Sequence, residues 1–301
     1  MNESLPTKVT PLLPSSTTRV VGIFGHPISH TFSPLIHNSA FRELGLDFLY
    51  LPFDVHPQNL KSALHGMTAL GIVGVNITIP HKENVIPLLD DVVSEARAIG
   101  AVNTIVNDGE KLRGYNTDIV GVAETLRPYA SEIEGREVAI IGSGGGARAI
   151  VYVLIHQFKP RYIHIVHTDI EYAIALRKFL LDNFGFKNIS AVDLYMPATI
   201  AKLKGSTLIV NATPVGMYPK TDESLVEIPE AFHPQQIVFD LIYNPTKTKF
   251  LRFAESQGAR VIGGLDMLLH QAAKSFELWT SKPMPLEKIR AILFDTIAKS
   301  E

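Results

Sequence analysis

The sequence predicts an α/β protein of two units, each with a mostly parallel sheet covered by helices. Apolar runs of strand length alternate with helical patterns over residues 20–100, and a second alternating series starts at Glu137. Alternating strands and helices are typical of parallel sheets. The length of 301 residues agrees with about two domains.

The first unit is predicted to have strands over residues 20–24, 48–53 and 72–79, and helices over 34–44, 60–70 and 91–100. Ser33 before Pro34 predicts a helix start with Ser33 as the N-cap. The third strand must stop at Pro80, which cannot donate a ladder hydrogen bond. Gly100 is typical of a helix end.

In the second unit, a glycine-rich turn joins a predicted strand at residues 138–141 to a helix that runs through Leu154. The turn is Gly142-Ser143-Gly144-Gly145-Gly146-Ala147. Gly142 permits a tight turn, Gly144 lets the backbone approach a pyrophosphate, and Ala147 allows close helix–strand packing. Free N–H groups at the helix start favour an anion. The strand and helix on either side favour a Rossmann dinucleotide-binding domain over a turn without a ligand.

Polar residues stand out at several breaks in the apolar pattern. Lys82 follows the third strand, on which Asn76 and Thr78 share one face, so their partners are either protein groups or a polar ligand. Asp118 precedes an apolar helical run that extends to about Leu126, and its simpler interpretation is the N-cap of that helix. The simpler interpretation of Lys82 is a solvated lysine on the surface, after a core strand. Further candidates are Thr31 and Ser33, whose hydroxyls can point one way, Asn103 at the start of a strand, and Gln271 within an apolar helix.

Taken in order, these segments resemble the shikimate dehydrogenase family over nearly the whole chain, from about residue 18 onward. The matching motifs are Thr31-Phe32-Ser33-Pro34, Asn76-Ile77-Thr78-Ile79-Pro80-His81-Lys82, Gly100-Ala101-Val102-Asn103-Thr104, Asn116-Thr117-Asp118, Asn211-Ala212-Thr213-Pro214-Val215-Gly216-Met217 and Gln271-Ala272-Ala273. The resemblance implies an N-terminal substrate domain plus a Rossmann dinucleotide-binding domain, with a cleft between them. It also implies that the last helices return to the first domain, because Gln271 belongs there. We expect a flexible tail at 1–18, a substrate-binding domain at 19–118 and 265–301, and the dinucleotide-binding domain at 119–264.

The resemblance further implies reversible reduction of 3-dehydroshikimate to shikimate in aromatic amino acid biosynthesis. Lys82 and Asp118 are the expected catalytic residues. The expected substrate-binding residues are Thr31, Ser33, Thr78, Asn103, Tyr243 and Gln271. The expected cofactor-binding residues are Gly142, Gly144, Gly145, Gly146, Ala147, Asp169, Asn211, Thr213, Gly264 and Met267. His81 is expected to face away from the site, because adjacent residues of a strand point to opposite faces.

The identity of the dinucleotide stays open at this point. The family favours NADP(H), whose 2′-phosphate is held by an arginine in an Asn-Arg-Thr run. This chain has His167-Thr168-Asp169 there, and Tyr172 stands where a later family arginine aligns. Asp169 could bind ribose hydroxyls and would repel a phosphate, which favours NAD(H). Arg148, Arg177 and Lys178 are the remaining candidates to reach a phosphate.

Composition excludes several other classes. A net charge of −2 gives no electrostatic case for nucleic acid or an anionic membrane, and the absence of cysteine excludes disulfides and thiol chemistry. No apolar run reaches the length of a membrane span. His26, His30 and His37 lack the acidic or thiol neighbours of a metal site. We expect a cytoplasmic enzyme without a metal, acting on a small polyhydroxy acid, with a homodimer as a possibility.

Three alternatives accompany this prediction. One is an NAD-preferring quinate/shikimate dehydrogenase, because Thr31 stands where the family commonly has serine. A non-catalytic dinucleotide-binding regulatory protein is disfavoured by the retention of Lys82 and Asp118. A folate-linked dehydrogenase is disfavoured by Gln271 and the pair of hydroxyls at Thr31 and Ser33, which suit a polyhydroxy acid.

Overall fold

The computed structural model describes residues 13–28 and 31–299, which form two six-stranded sheets and their covering helices. The strands are β1 (Arg19–Gly25), β2 (Phe48–Asp54), β3 (Gly74–Ile77), β4 (Asp91–Val92), β5 (Thr104–Asn107), β6 (Leu112–Tyr115), β7 (Glu137–Ile141), β8 (Tyr162–His167), β9 (Ile189–Asp193), β10 (Leu208–Asn211), β11 (Ile237–Asp240) and β12 (Arg260–Ile262). The α-helices are α1 (Ser33–Glu43), α2 (Leu60–Ala69), α3 (Ser94–Ile99), α4 (Asp118–Leu126), α5 (Ala130–Ile133), α6 (Gly145–Val153), α7 (Ile170–Phe184), α8 (Pro197–Gly205), α9 (Lys249–Ser256), α10 (Leu265–Thr280) and α11 (Leu286–Ala298).

The first sheet is mixed, in the order β2-β1-β3-β5-β6-β4. Strands β2, β1 and β3 run parallel, whereas β5 is antiparallel to both β3 and β6. The second sheet, β12-β11-β10-β7-β8-β9, is parallel throughout. The predicted α/β class with two mostly parallel sheets is confirmed. In the second sheet the strand order reverses beside β7, and such reversals create a ligand crevice at the carboxyl ends of the strands.

Three local predictions need correction. Strand β3 covers Gly74–Ile77 and is shorter than the predicted range of 72–79. Ile79 lies beyond the paired residues and is 54% exposed. Residues 91–92 form the short strand β4 beside β6, so only α3 is helical in the predicted segment 91–100. Ser33 is the first helical residue of α1 and makes no capping bond, since Phe32 occupies the cap position. The Ser33 hydroxyl is therefore available for other partners.

The last two helices of the chain pack against the first sheet. Leu269, Phe276 and Trp279 of α10 share a buried cluster with Val21 of β1 and Phe41 of α1. Helix α11 adds to the same cluster. The division into a substrate domain (19–118 and 265–301) and a dinucleotide domain (119–264) stays a prediction that these contacts support.

Helix α4 begins at Asp118 and ends at Leu126, so its end agrees with the prediction, whereas Asp118 is the first helical residue and not the residue before the helix. It packs closely against α10 because Gly121 has no side chain: a Cβ there would lie 2.6 Å from the Met267 carbonyl oxygen. This close approach brings the start of α4 beside Gln271.

Part of the predicted tail is hydrogen-bonded to the rest of the fold. The Thr17 hydroxyl donates to Asp47 Oδ2 at 2.7 Å, and Thr18 and Ser15 bond the same carboxylate. Residues 1–12 of the predicted tail lie outside the described part.

His37 is buried in an aromatic cluster under α1. Its ring stacks on Tyr50 with centroids 4.4 Å apart, and neither ring nitrogen has a hydrogen-bond partner among the described residues. Burial lowers the pKa of His37 from 6.5 to about 3. The imidazole is therefore neutral in the folded protein at neutral pH.

This burial predicts an acid-sensitive core. Because the folded-state pKa lies below the unfolded value, the contribution of His37 to stability is present above pH 6.5 and is lost as the pH falls toward about 3. From pH 7 to pH 5 the loss is about 2 kcal/mol. His37→Phe should reduce the pH slope of the unfolding free energy, whereas replacement of the exposed His65 by glutamine should not. Equal slopes in both variants and the wild type would contradict the assignment.

Candidate active site

Lys82 and Asp118 form an ion pair at the carboxyl edge of the first sheet. Lys82 Nζ lies 2.6 Å from Asp118 Oδ2, and the two side chains are 20% and 6% exposed. Lys82 lies in a turn after β3, where its carbonyl oxygen accepts a hydrogen bond of 2.8 Å from the Val102 N–H. Because the pair is largely shielded from water, its attraction is stronger than that of a surface pair.

Asn103 holds the second oxygen of Asp118. Its Nδ2 donates to Asp118 Oδ1 at 2.8 Å, and its Oδ1 accepts from the Thr117 N–H at 2.6 Å. Asp118 does not cap α4 through its side chain but is the first residue of the helix, where the helix dipole favours negative charge. The carboxylate is therefore oriented from two sides, by Lys82 and by Asn103.

Gln271 reaches the same cluster from α10. Its Oε1 accepts from Thr117 Oγ1 at 3.4 Å and lies 3.5 Å from Asn103 Nδ2, while its Nε2 donates to the Leu268 carbonyl at 2.9 Å. The structure thus brings together four predicted residues from separate segments, Lys82, Asn103, Asp118 and Gln271.

A second group of hydroxyls lies at the start of α1. Thr31 Oγ1 donates to Ser33 Oγ at 3.1 Å, and Tyr243 is hydrogen-bonded to Thr31. Burial raises the pKa of Tyr243, so its hydroxyl remains a neutral donor. Thr78 is half-buried beside Gly25, where an added Cβ would lie 2.4 Å from Thr78 Cγ2.

A buried polar network, most of which the sequence did not predict, joins these two groups. Tyr50 is hydrogen-bonded to Ser33 and donates to Asn76 Oδ1 at 2.8 Å. Asn76 Nδ2 donates to Thr104 Oγ1 at 3.0 Å and to Ser275 Oγ at 2.9 Å. Both hydroxyls lie within 3.2 Å of Thr117 Oγ1. The hydrogen-bonding groups of Asn76 are thus satisfied by protein groups and not by a ligand. For Ser275, the one sequence feature that could have indicated a place in this network is its position four residues after Gln271, on the same face of α10.

His81 is turned away from Lys82, as predicted. Its Nε2 lies 2.7 Å from the Val55 carbonyl oxygen, to which it donates, and its ring is fully buried. The predicted reason was wrong, however, because residues 81 and 82 lie in a turn and not on alternating faces of a strand.

The glycine-rich turn after β7 has the geometry that its sequence implies. Gly142 has φ +111°, and a Cβ there would lie 3.0 Å from Thr213 Cγ2. Gly144 occupies the N-cap position of α6 and would meet nothing within 4 Å, so its backbone is open to a ligand. Gly145 and Gly146 begin the helix, and Ala147 is fully buried. The residues fit a dinucleotide pyrophosphate at the free N–H groups of α6.

At the carboxyl end of β8, Asp169 caps α7 by accepting a hydrogen bond from the Glu171 N–H at 3.0 Å. The His167 ring stacks on Tyr172 with centroids 5.2 Å apart. Arg177 Nε donates to the Ile189 carbonyl at 3.1 Å, and Arg148 is paired with Glu83. Two of the cations proposed for a 2′-phosphate are thus held by protein partners.

The loop after β10 is organised by Asn211. Its Oδ1 accepts from Thr213 Oγ1 at 2.7 Å, and its Nδ2 donates to Asp240 Oδ1 at 3.1 Å. Burial raises the pKa of Asp240 to about 6. Gly264 occupies the N-cap position of α10, where an added Cβ would lie 2.3 Å from the carbonyl oxygen of Leu241, the residue after β11. Met267 is buried one turn later.

Two family models match the chain. Residues 23–105 match the shikimate dehydrogenase substrate binding domain, and residues 264–294 match the shikimate 5′-dehydrogenase C-terminal domain. The chain is 41% identical to a protein of Chlorobium phaeobacteroides named shikimate dehydrogenase (NADP(+)), over 94% of this chain and 98% of that protein. The chain belongs to the shikimate dehydrogenase family.

Solved structures of the shikimate dehydrogenase family have the same fold. One shikimate dehydrogenase in complex with NADP+ is 39% identical, with a TM-score of 0.87 over 96% of this chain and 99% of that one. A second, from Listeria monocytogenes in complex with shikimate and NAD, is 35% identical, with a TM-score of 0.81 over 93% and 98% of the two chains. Family members with this fold therefore include complexes with either dinucleotide.

Within the described residues, no group of three or more histidine, cysteine, aspartate or glutamate side chains could hold a metal ion. Of the three histidines that lie near one another in the sequence, His26, His30 and His37, His30 lies outside the described residues. No helix in the described part of the chain is long and apolar enough to cross a membrane.

Proposed function

We propose that this protein reduces 3-dehydroshikimate reversibly to shikimate, as an NAD(P)-linked shikimate dehydrogenase of aromatic amino acid biosynthesis. The observation that carries the proposal is the 2.6 Å Lys82–Asp118 pair, with Asn103 and Gln271 around it. The pair lies beside the glycine-rich turn, because a Cβ on Gly145 would approach the Lys82 Cδ to 3.3 Å. Proton-transfer groups and a dinucleotide site thus meet in one place.

The dinucleotide supplies the hydride acceptor or donor when it is bound. The chain must orient the ring and move one proton. Lys82 donates a proton or a charged hydrogen bond to the ketone oxygen as negative charge develops there, and accepts the proton in the reverse direction. Asp118 orients the ammonium and is itself held by Asn103.

Substrate recognition is assigned to the two hydroxyl-bearing groups. Thr31, Ser33 and Tyr243 bind the carboxylate through neutral O–H donors, which the raised pKa of Tyr243 keeps protonated. Thr78, Asn103 and Gln271 contact the ring hydroxyls. Thr31 retains the hydroxyl of the common family serine, so the change from serine preserves a donor at this position.

The test is a set of four parallel assays of purified protein, with shikimate or quinate and NADP+ or NAD+. Turnover with shikimate supports the proposal. Turnover with quinate and NAD+ but little with shikimate would replace it by the quinate alternative. No turnover in any assay would favour a non-catalytic dinucleotide-binding protein, which the intact Lys82–Asp118 pair argues against.

For the cofactor, we propose that the chain uses NADP(H), as its family favours, and that Asp169 weakens the preference for NADP(H) over NAD(H). Asp169 lies directly after β8, and the Arg177 Nε beyond it is bonded to a backbone carbonyl. A carboxylate there repels a 2′-phosphate and can accept hydrogen bonds from ribose hydroxyls.

Asp169→Ser is expected to raise kcat/KM for NADP+ relative to NAD+ by about tenfold, since removal of one nearby negative charge is equivalent to about 1.4 kcal/mol for the phosphate. Serine retains the N-cap function, so α7 should remain stable. Asp169→Asn is the matched variant, because it removes the charge and keeps both the cap and the size. An unchanged NADP+/NAD+ ratio in both variants would exclude Asp169 from the ribose site.

A further inference from the structure

The start of the dinucleotide helix α6 lies directly on the segment that carries Lys82. A Cβ on Gly145 would lie 3.3 Å from the Lys82 Cδ and 3.3 Å from the Ala101 Cβ. One turn later, Arg148 extends to the residue after Lys82: its Nη2 lies 3.4 Å from Glu83 Oε2. The contact therefore joins the proposed phosphate site to the proposed proton donor.

Arg148 is held in place by more than its ion pair. Its guanidinium lies over the Phe179 ring of α7 at 4.5 Å, and its side chain is only 19% exposed. Its Nη1 would lie 3.3 Å from a Cβ on Gly100, the left-handed residue that ends α3. Glycine is favoured there by φ +70°, and any Cβ would also come into tight contact with the guanidinium.

We propose that Arg148 is a positioning residue that couples dinucleotide binding at α6 to the placement of Lys82. This inference rests on the proposed dehydrogenase function. The Lys82 segment is anchored on one side by the Val102 N–H, which donates to the Lys82 carbonyl at 2.8 Å, and on the other by Arg148 through Glu83. A ligand that orders the start of α6 therefore also orders the turn that presents Lys82.

The direction of the side chain distinguishes this role from phosphate binding. Arg148 points from α6 onto the loops of the first sheet, where its charge is partnered by Glu83. Because coupling between two binding sites is reciprocal, shikimate should strengthen dinucleotide binding by the same factor as the dinucleotide strengthens shikimate binding.

The experiment is a double-mutant cycle of Arg148→Met and Glu83→Gln. Each single variant should lower kcat by about fivefold or more, with a smaller change in KM for the dinucleotide, and should weaken the mutual strengthening of shikimate and dinucleotide binding by a similar factor. The double variant should be no worse than the poorer single variant, because both remove one contact. Arg148→Lys, which keeps the charge, should restore part of kcat.

Arg260→Met is the matched control. Arg260 is also paired with a glutamate, Glu132, and lies 5.7 Å from the Tyr129 ring, but it begins β12 at the opposite edge of the second sheet. This variant should keep wild-type kcat and coupling. If Arg148→Met weakened dinucleotide binding alone while Glu83→Gln matched the wild type, Arg148 would be a phosphate ligand and the proposal would fail. Additive effects of the two substitutions would also overturn it.

A readout independent of turnover separates this inference from the proposed function. Amide hydrogen exchange of residues 81–85 is measured with and without the dinucleotide, NADP+ or NAD+, that the wild type binds more tightly. Protection of this segment by the dinucleotide in the wild type, and its loss in Arg148→Met, supports the coupling even if the substrate is not shikimate. Equal protection in both proteins would overturn it even if shikimate is turned over.

Discussion

Replacement of Lys82 by alanine is expected to lower kcat about 10²- to 10⁴-fold, the usual range for loss of a general acid–base group. The largest part of the loss should appear in kcat, because the interaction of the ammonium with the reacting oxygen strengthens as charge develops. Steady-state kinetics with shikimate and the preferred dinucleotide measure both parameters.

The Lys82 variant needs a folding control, because it leaves the 6% exposed Asp118 without its cation. Asp118 keeps the 2.8 Å hydrogen bond from Asn103, so we expect a folded protein of reduced stability. Dinucleotide binding and thermal unfolding verify the fold, and Lys111→Ala on the exposed turn before β6 should behave as the wild type. Turnover within a few-fold of the wild type would exclude Lys82 from proton transfer.

The combined substitution Thr31→Val and Ser33→Ala is expected to raise KM for shikimate by about 10²-fold or more. Each hydroxyl is assigned one hydrogen bond to the substrate carboxylate, and bonds to charged groups are worth about 1.5–3 kcal/mol each. Because the carboxylate does not change during the reaction, the loss should be uniform and leave kcat nearly unchanged. The kinetic signature is thus the opposite of that expected for Lys82.

The single variants of this pair should each show part of the effect, with non-additivity, since Thr31 Oγ1 donates to Ser33 Oγ at 3.1 Å. Ser94→Ala at the exposed start of α3 serves as a control for loss of a serine hydroxyl. A fall in kcat at constant KM would place the two hydroxyls at the reacting carbon and not at the carboxylate.

Local patterns in the sequence were sufficient for several features of this protein. The alternation of apolar strands and helices predicted the α/β class, and the turn Gly142–Ala147 predicted the start of α6, because backbone conformation and helix initiation depend on neighbouring residues. The end of α4 at Leu126 followed from the apolar helical run after Asp118, although Asp118 itself is already the first helical residue.

Local patterns failed where tertiary contacts decide the structure. The N-cap prediction for Ser33 was reasonable from Pro34, yet the buried hydroxyl bonds Tyr50, which lies on β2. Residues 91–92 pair with β6, which no helical pattern reveals. In both cases a partner distant in sequence offers a better hydrogen bond than the local alternative.

The site itself combines both kinds of information. Family motifs identified Lys82 and Asp118, but the 2.6 Å contact spans 36 residues and arises only when β3 and α4 meet at one edge of the sheet. The Arg148–Glu83 pair and the hydroxyls of Tyr50 and Ser275 had no sequence signal strong enough to predict them. Residue types and local conformation follow from the sequence by itself, whereas the pairing of charges and the satisfaction of buried polar groups depend on distances that only the packed chain sets.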